Sequence, residues 1–262
     1  MERPCYQLPM VAVLSMIMLS CSTTNSSDNR PVTFTPSEVI DLGALVTEDL
    51  PERFWGKGFL KQQGFTKQNS FEVIRWTFPI EGGSVSGSNG YYTLFNHGGP
   101  HVDAPNHFSE GGGIDSYPVE GFSGPVKVFD VSSYAIGRSV PATVFQNHVD
   151  PGDIVLIVTR YTPPQADDGI PAVKGLTNEA AEFLATRPVR AYGTDAWSVE
   201  PLLTDTKMPS IHHVFLSRGI PVYEQLMNVD KLLGKEKMFF VGVPLNIKGG
   251  DGMTVRPVVF VY

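Results

Sequence analysis

Cysteine is almost missing from this chain. Cys5 and Cys21 are the only two in 262 residues, so everything after position 21 lacks a thiol. That excludes a disulfide framework, a zinc-thiolate site and a cysteine nucleophile from the bulk of the chain, and any metal there must be held by His, Asp and Glu. Basic runs are missing too. With a formal net charge of -7 and no cluster of Lys and Arg, the chain offers no patch for nucleic acid or for an anionic membrane surface, and neither contact is expected of the folded part. No Gly-x-Ser-x-Gly elbow is present, which counts against a serine hydrolase. The glycine runs "EGGG" and "KGGDG" do not follow the strand-to-helix pattern of phosphate loops and read as turns.

Long apolar runs are scarce as well. The one clear case, "LPMVAVLSMIML" at residues 8–19, is too short to span a bilayer and has the length of a secretory signal. It ends at "MLSC", which has the form of a lipoprotein signal-peptidase box, and a polar "STTNSSDNR" follows. The expectation is a signal peptide at 1–20, a lipidated Cys21 opening a flexible linker at 21–33, and one domain at 34–262. The chain would then be exported and lipid-anchored to a bacterial membrane, facing the periplasm or the exterior, and would touch the membrane only through that lipid. An ordinary signal peptide or a short buried helix are the plainer alternatives. From residue 31 onward no repeat and no low-complexity linker divides the chain.

Short β-rich segments dominate what remains. "SEVIDLGAL", "FEVIRWTFPI", "VKVFDV" and "VRAYGTD" read as strands, as do "KMFFVGVPLNI" and "VRPVVFVY" at the end. "GDIVLIVT" is short and continuously apolar, the mark of a strand covered on both faces. "TNEAAEFLATR" is the clearest helix, with Thr177 placed to cap and Ala181, Phe183 and Leu184 forming an apolar stripe. "VYEQLMNVDKL" is mixed, and residues 47–69 read as a long irregular segment. Strand-rich ends around an α/β centre predict a single α/β domain with a mixed sheet flanked by helices.

The chemistry is concentrated in "NHGGPHVDAPNHF", which holds three of the six histidines. Gly98, Gly99 and Pro100 argue against a helix. An extended course would place His101, Asp103, Pro105 and His107 on one face. Imidazole and carboxylate on a stiff segment suit Zn or Mn, and the two oxygens of Asp103 allow it to bridge two ions. A second group, "IHHVFLSRGIPVYE", carries His212, His213 and Glu224. Alone, His212 reads more readily as a paired structural histidine than as a ligand, and Glu224 as a solvated carboxylate; His213 reads as structural and His148 as a loop residue before a strand.

"HGGPHVDAPNH" resembles the H-x-G-T-H-x-D-x-P-x-H signature of the metal-dependent cyclase family, whose best-known members are bacterial kynurenine formamidases and isatin hydrolases. Pro100 stands where that family usually has threonine. The likeness continues in order through "VIDLGAL", "PGDIVLIVT", "YGTDAWSVE", "HHVFLSRGIPVYEQL" and "GGDGMTVRPVVFV". The resemblance implies an α/β fold with a mixed, partly barrel-like sheet, and a homodimer or higher homo-oligomer. It implies that His97, His101 and Asp103 bind a first ion, that His212 and Glu224 share Asp103 around a second, and that His107 is the general acid and base.

The implied reaction is hydrolysis of a non-peptide carbon–nitrogen bond, in a small aryl formamide or cyclic amide, by metal-activated water. Two other readings fit the same residues: a lactonase, lyase or dehydratase acting on a small hydroxy acid or sugar derivative, and a non-catalytic lipoprotein that binds metal or ligand. Phe54 and Trp55, together with Trp197 and Ser198, are candidates for the wall of a substrate pocket, with core or turn positions as the alternative. Pro100 and residues 47–69 lie where specificity would diverge.

Overall fold

The computed structural model describes residues 35–62, 64, 71–80, 86–162, 172–201 and 210–262. The expected leader, Cys21 and the linker lie outside the described residues. In chain order the elements are β1 (Glu38–Asp41), α1 (Leu50–Trp55), α2 (Lys57–Gln62), β2 (Phe71–Pro79), β3 (Ser86–Leu94), β4 (His101–Asp103), α3 (Pro105–Phe108), β5 (Ser123–Asp130) and β6 (Gly137–Val140). They continue with β7 (Ile154–Val158), β8 (Lys174–Leu176), α4 (Asn178–Thr186), β9 (Ala191–Thr194), α5 (Ile211–Leu216), β10 (Val222–Glu224), β11 (Met238–Val241), β12 (Gly252–Thr254) and β13 (Val258–Val261).

Nine strands form one sheet in the order β1-β13-β11-β5-β7-β9-β10-β4-β12. The middle run β5-β7-β9-β10 is parallel and both flanks are antiparallel. The sheet curls into a half-barrel with few helices, an α/β fold with a mixed sheet. A β2–β3 hairpin and a β6–β8 parallel pair stand beside it.

β7 shows why this sheet is stable. Its five residues, Ile-Val-Leu-Ile-Val, are all buried. Because side chains alternate along a strand, Ile154, Leu156 and Val158 join the core on one face, with Val102, Tyr223 and Phe240. Val155 and Ile157 join the core on the other, with α4 and α5. Each such side chain contributes about 1.5–3 kcal/mol on burial. α4 starts where Thr177 caps it, the hydroxyl accepting from the Ala180 amide at 3.2 Å.

Two local expectations are corrected. The segment at 47–69 is not irregular where it is described, because it contains α1 and α2. Pro51 occupies the first turn of α1, where its missing N–H costs nothing and its fixed φ suits the helix. Gly56, at φ 77°, then ends it. Six-residue helices carry too few turns to show a periodicity. The extended course expected from His101 to His107 is also broken: β4 ends at Asp103, and Pro105 opens α3, on which His107 sits. The proline that stiffens an extended chain serves equally as the first residue of a helix.

Candidate metal centre and active site

Strand register assembles the first part of the site. On β4, Val102 points into the core while His101 and Asp103 point to the opposite face, towards α5. β10 pairs with β4 so that Glu224 lies directly across from His101 and Val222 from Asp103. α5 presents His212 to the same face, and Nε2 of His212 is 3.0 Å from Oε1 of Glu224 and 3.6 Å from Oδ2 of Asp103. His97 arrives from the turn before β4, with Nδ1 2.9 Å from Oδ1 of Asp103. Gly99 sits in that turn at φ +77°, and a Cβ there would lie 2.4 Å from Leu50. All five residues are buried.

Hydrogen bonds aim the rings. Nδ1–H of His101 donates to the Gly99 carbonyl at 2.8 Å, which turns Nε2 towards Asp103 and Glu224 at 3.3 and 3.5 Å. Nε2 of His97 faces Oδ2 of Asp251 at 3.3 Å, leaving Nδ1 for Asp103. Asn96 holds that Asp251 carboxylate through Oδ1 at 2.7 Å. Gln225, fully buried, accepts from the Gly99 amide and donates to the His97 carbonyl.

The donor atoms suit a metal. Nδ1 of His97, Nε2 of His101, both oxygens of Asp103 and both nitrogens of His212 are buried and have no hydrogen-bond partner among the described residues, although Nδ1 of His97 lies 2.9 Å from Asp103. Leaving one such group unpaired costs about 1–3 kcal/mol, so this convergence of lone pairs is a strong demand for a cation. Two sets of ligand atoms close enough to share an ion are His101, Asp103 and Glu224, and His97, Asp103 and His107.

The electrostatics agree. Burial pushes the His101 ring pKa down, but the Asp103 and Glu224 carboxylates outweigh it and hold it at about 10. Burial likewise lowers the His212 ring, and Glu224, Glu200 and Asp103 together raise it to about 10. Burial raises the Glu224 carboxyl, yet His212 brings it down to about 2. Without a metal, protons on the rings balance the buried carboxylates.

His107 differs from its neighbours. It stacks on His97 at 4.1 Å, its Nδ1 lies 3.7 Å from Oδ2 of Asp251, and its side chain is one-quarter exposed. Burial lowers its pKa to about 4, Asp103 offsetting only part of the effect. The ring is therefore neutral at pH 7 and able to accept a proton.

The cluster opens into a pocket of about 270 Å³ lined by Trp55, Phe95, His107, Phe108, Trp197 and Ser198. Trp55 packs against Trp197 and Phe95 at 5.3 and 5.8 Å, and Phe108 stacks on His212 at 4.1 Å and 7°. Of the four candidate wall residues, Trp55, Trp197 and Ser198 line this one cavity with the histidines. Phe54 lines a separate groove with Leu50, Tyr161 and Leu226, while packing in one core cluster with Trp197 and Trp55. Adjacent residues on a helix point about 100° apart, which lets the two rings reach different cavities. His148 and His213 are exposed and take no part. Asp251, Glu200, Gln225, Phe95 and Phe108 were not anticipated; Asp251 lay inside "KGGDG", which reads as a turn.

The family model of the cyclases matches residues 25–201. A kynurenine formamidase from Salinibacter ruber is 33% identical over 191 residues, 72% of this chain and 88% of that protein. One from Bacillus cereus is 30% identical over 191 residues, 72% of this chain and 86% of its own. Among solved structures, an isatin hydrolase bound to the product analogue thioisatinate superposes with a TM-score of 0.68 at 21% identity, covering 86% of this chain and 92% of that one. Isatin hydrolase A from Labrenzia aggregata superposes with a TM-score of 0.65 at 23% identity, over 86% and 93%; these two likenesses concern the fold. The chain belongs to the cyclase family of metal-dependent amidohydrolases.

Proposed function

We propose that this protein hydrolyses the carbon–nitrogen bond of a small aryl formamide or cyclic amide. One observation carries the reading: a buried cluster of three imidazoles and two carboxylates with unpaired donor atoms opens directly onto a pocket walled by four aromatic rings. By the family resemblance His97, His101 and Asp103 would hold one divalent ion and Asp103, His212 and Glu224 a second, a grouping that differs from the two sets of nearest ligand atoms and leaves His107 for proton transfer. Zn and Mn both suit such ligands.

A bound divalent ion supplies Lewis acidity and an acidified water. The chain's residues do the rest. Trp55, Phe95, Phe108 and Trp197 bind the aryl group and exclude bulk water. His107 takes a proton from the attacking water at Nε2, the ring nitrogen not facing Asp251. As a carbon–oxygen bond forms at the carbonyl and the carbon–nitrogen bond breaks, His107 returns that proton to the leaving nitrogen. Its low pKa makes the protonated ring a ready donor. Asp251 orients it, as the third member of a nucleophile–base–orienter arrangement does.

The test is elemental analysis of protein lacking residues 1–21, with hydrolysis of N-formylkynurenine and isatin measured after loading with Zn or Mn. Metal near stoichiometry with turnover of either compound supports the reading. Absence of bound metal under every loading condition would sink it.

The chain is further proposed to be exported, lipidated at Cys21 and tethered to a membrane, with homodimers or larger assemblies as its working form. The sequence at 8–29 supports the tether. Membrane-fraction protein that shifts to the soluble fraction in Cys21→Ser would support lipidation, and light scattering measures the assembly.

A further inference from the structure

We infer that Glu200, backed by Arg138, is a positioning residue for the half of the metal centre formed by His212 and Glu224. The inference rests on the metal-centre reading above and deepens it. Glu200 is buried and each of its oxygens has a distinct task. Oε1 accepts from Nη2 of Arg138 at 2.5 Å. Oε2 accepts from the Ile211 amide at 2.8 Å and from Oγ of Ser210 at 2.9 Å, so it fastens the start of α5 one residue before His212. The same oxygen lies 3.8 Å from Nδ1 of His212, on the side of the ring away from Nε2, which faces Asp103 and Glu224.

The neighbouring amide completes the arrangement. Val199 N–H donates to Oε1 of Glu224 at 2.6 Å, and the Glu200 N–H donates to Oγ of Ser198 at 3.0 Å. Residues 198–200 therefore hold Glu224 through a backbone amide and fix the helix start that carries His212 through the Glu200 carboxylate, which faces the ring at 3.8 Å without bonding it. Carboxylates behind a ligating histidine fix its ring and increase its basicity.

Arg138 explains how a further buried carboxylate can sit beside this cluster without becoming a ligand. It comes from β6, outside the nine-stranded sheet, and its other guanidinium nitrogen is bound by Asn178 at the start of α4. With Oε1 committed to the guanidinium, Glu200 can neither swing towards the metal donors nor add an uncompensated charge. A buried ion pair is weak support for stability as such. Its directional contacts are what this one provides.

The experiment is calorimetric titration of the folded chain, stripped with a chelator, with Zn(II) and separately with Mn(II). The proteins compared are wild type, Glu200→Gln, and Glu200→Gln combined with Arg138→Gln, which avoids leaving the buried guanidinium without its carboxylate. Expected for both variants is an affinity about 10–100-fold lower for the more weakly bound equivalent, with the tighter equivalent unchanged and a cooperative metal-free melting transition retained. Wild-type titrations in both variants would overturn the positioning role. So would a parallel loss of all metal with a lowered metal-free melting temperature, which marks general damage to the fold. A wild type that binds neither metal would instead overturn the metal-centre reading itself.

Discussion

The two halves of the donor cluster are built by different means. His97, His101 and Asp103 fall within seven residues, and a glycine turn followed by three residues of β4 suffices to gather them. His212 and Glu224 reach the same place from α5 and β10, through strand register and through the grip of residues 198–200. The backing groups differ as well. Asp251 behind His97 is half exposed, whereas Glu200 behind His212 is buried and paired to Arg138. A site can thus be half local and half global, with one carboxylate, Asp103, facing both parts.

Breaking that shared residue should have the largest effect. Asp103→Ala is expected to empty both halves and reduce turnover by at least about 10³-fold, because the several kcal/mol supplied by Lewis acidity go with the metal. Elemental analysis beside the rate separates this from a folding defect, and full metal content in the variant would refute the shared role. His107→Ala should come next. It is expected to keep its metal and lose about 10²–10⁴-fold in kcat, the usual worth of a positioned acid-base. An unchanged kcat would move proton transfer to another group.

Asp251→Asn tests the local half from behind. The amide keeps the shape but weakens the charge facing His97 and His107, so a loss of about 10–100-fold in metal affinity or rate is expected. If Glu200→Gln weakens one equivalent and Asp251→Asn the other, the halves are independent. Equal effects of both variants on both equivalents would erase the distinction.

The difference between the halves is also why one was easier to read. The spacing from His97 to His107 is visible in sequence because its geometry is local. β7 and α4 were legible for the same reason: one is a continuous apolar run and the other has a cap and a stripe. Glu200 and Asp251 act on residues 12 and 154 positions away, and no spacing announces such a contact. α1 and α2 escaped because six residues hold too little periodicity. Even His107, a candidate in the sequence, sits on a helical turn rather than the extended chain its prolines suggested, and Phe54 and Trp55, adjacent in sequence, line different pockets.

Protonation offers a comparison between the empty and loaded centre. The pKa values of about 10 for His101 and His212 lie above the ordinary 6.5. Their contribution to stability is therefore complete below about pH 6.5 and is lost as pH rises through about 10. His107, at about 4, acts in the opposite sense and removes stability as pH falls below about 6.5. Melting of chelator-treated protein should accordingly decline between pH 6.5 and 10. Metal-loaded protein should show the reverse at the lower end, since the ligating imidazoles must shed protons to bind an ion. A melting temperature independent of pH from 6.5 to 10 in the chelated protein would contradict the charge balance described for the cluster.

The smallest effect is expected at the aromatic wall of the pocket. Trp55 packs against Phe95 and Trp197 at the pocket. Trp55→Leu removes ring contacts worth about 0.5–1.5 kcal/mol, which corresponds to a rise of about two- to tenfold in KM for an aryl substrate. Metal content and kcat should hold, because that binding is the same in the ground and transition states. The sharper form of the test uses an aliphatic formamide beside the aryl one: KM should rise for the aryl compound alone. A matching rise for both would mean that Trp55 shapes the pocket through packing of α1 and does not recognise the ring.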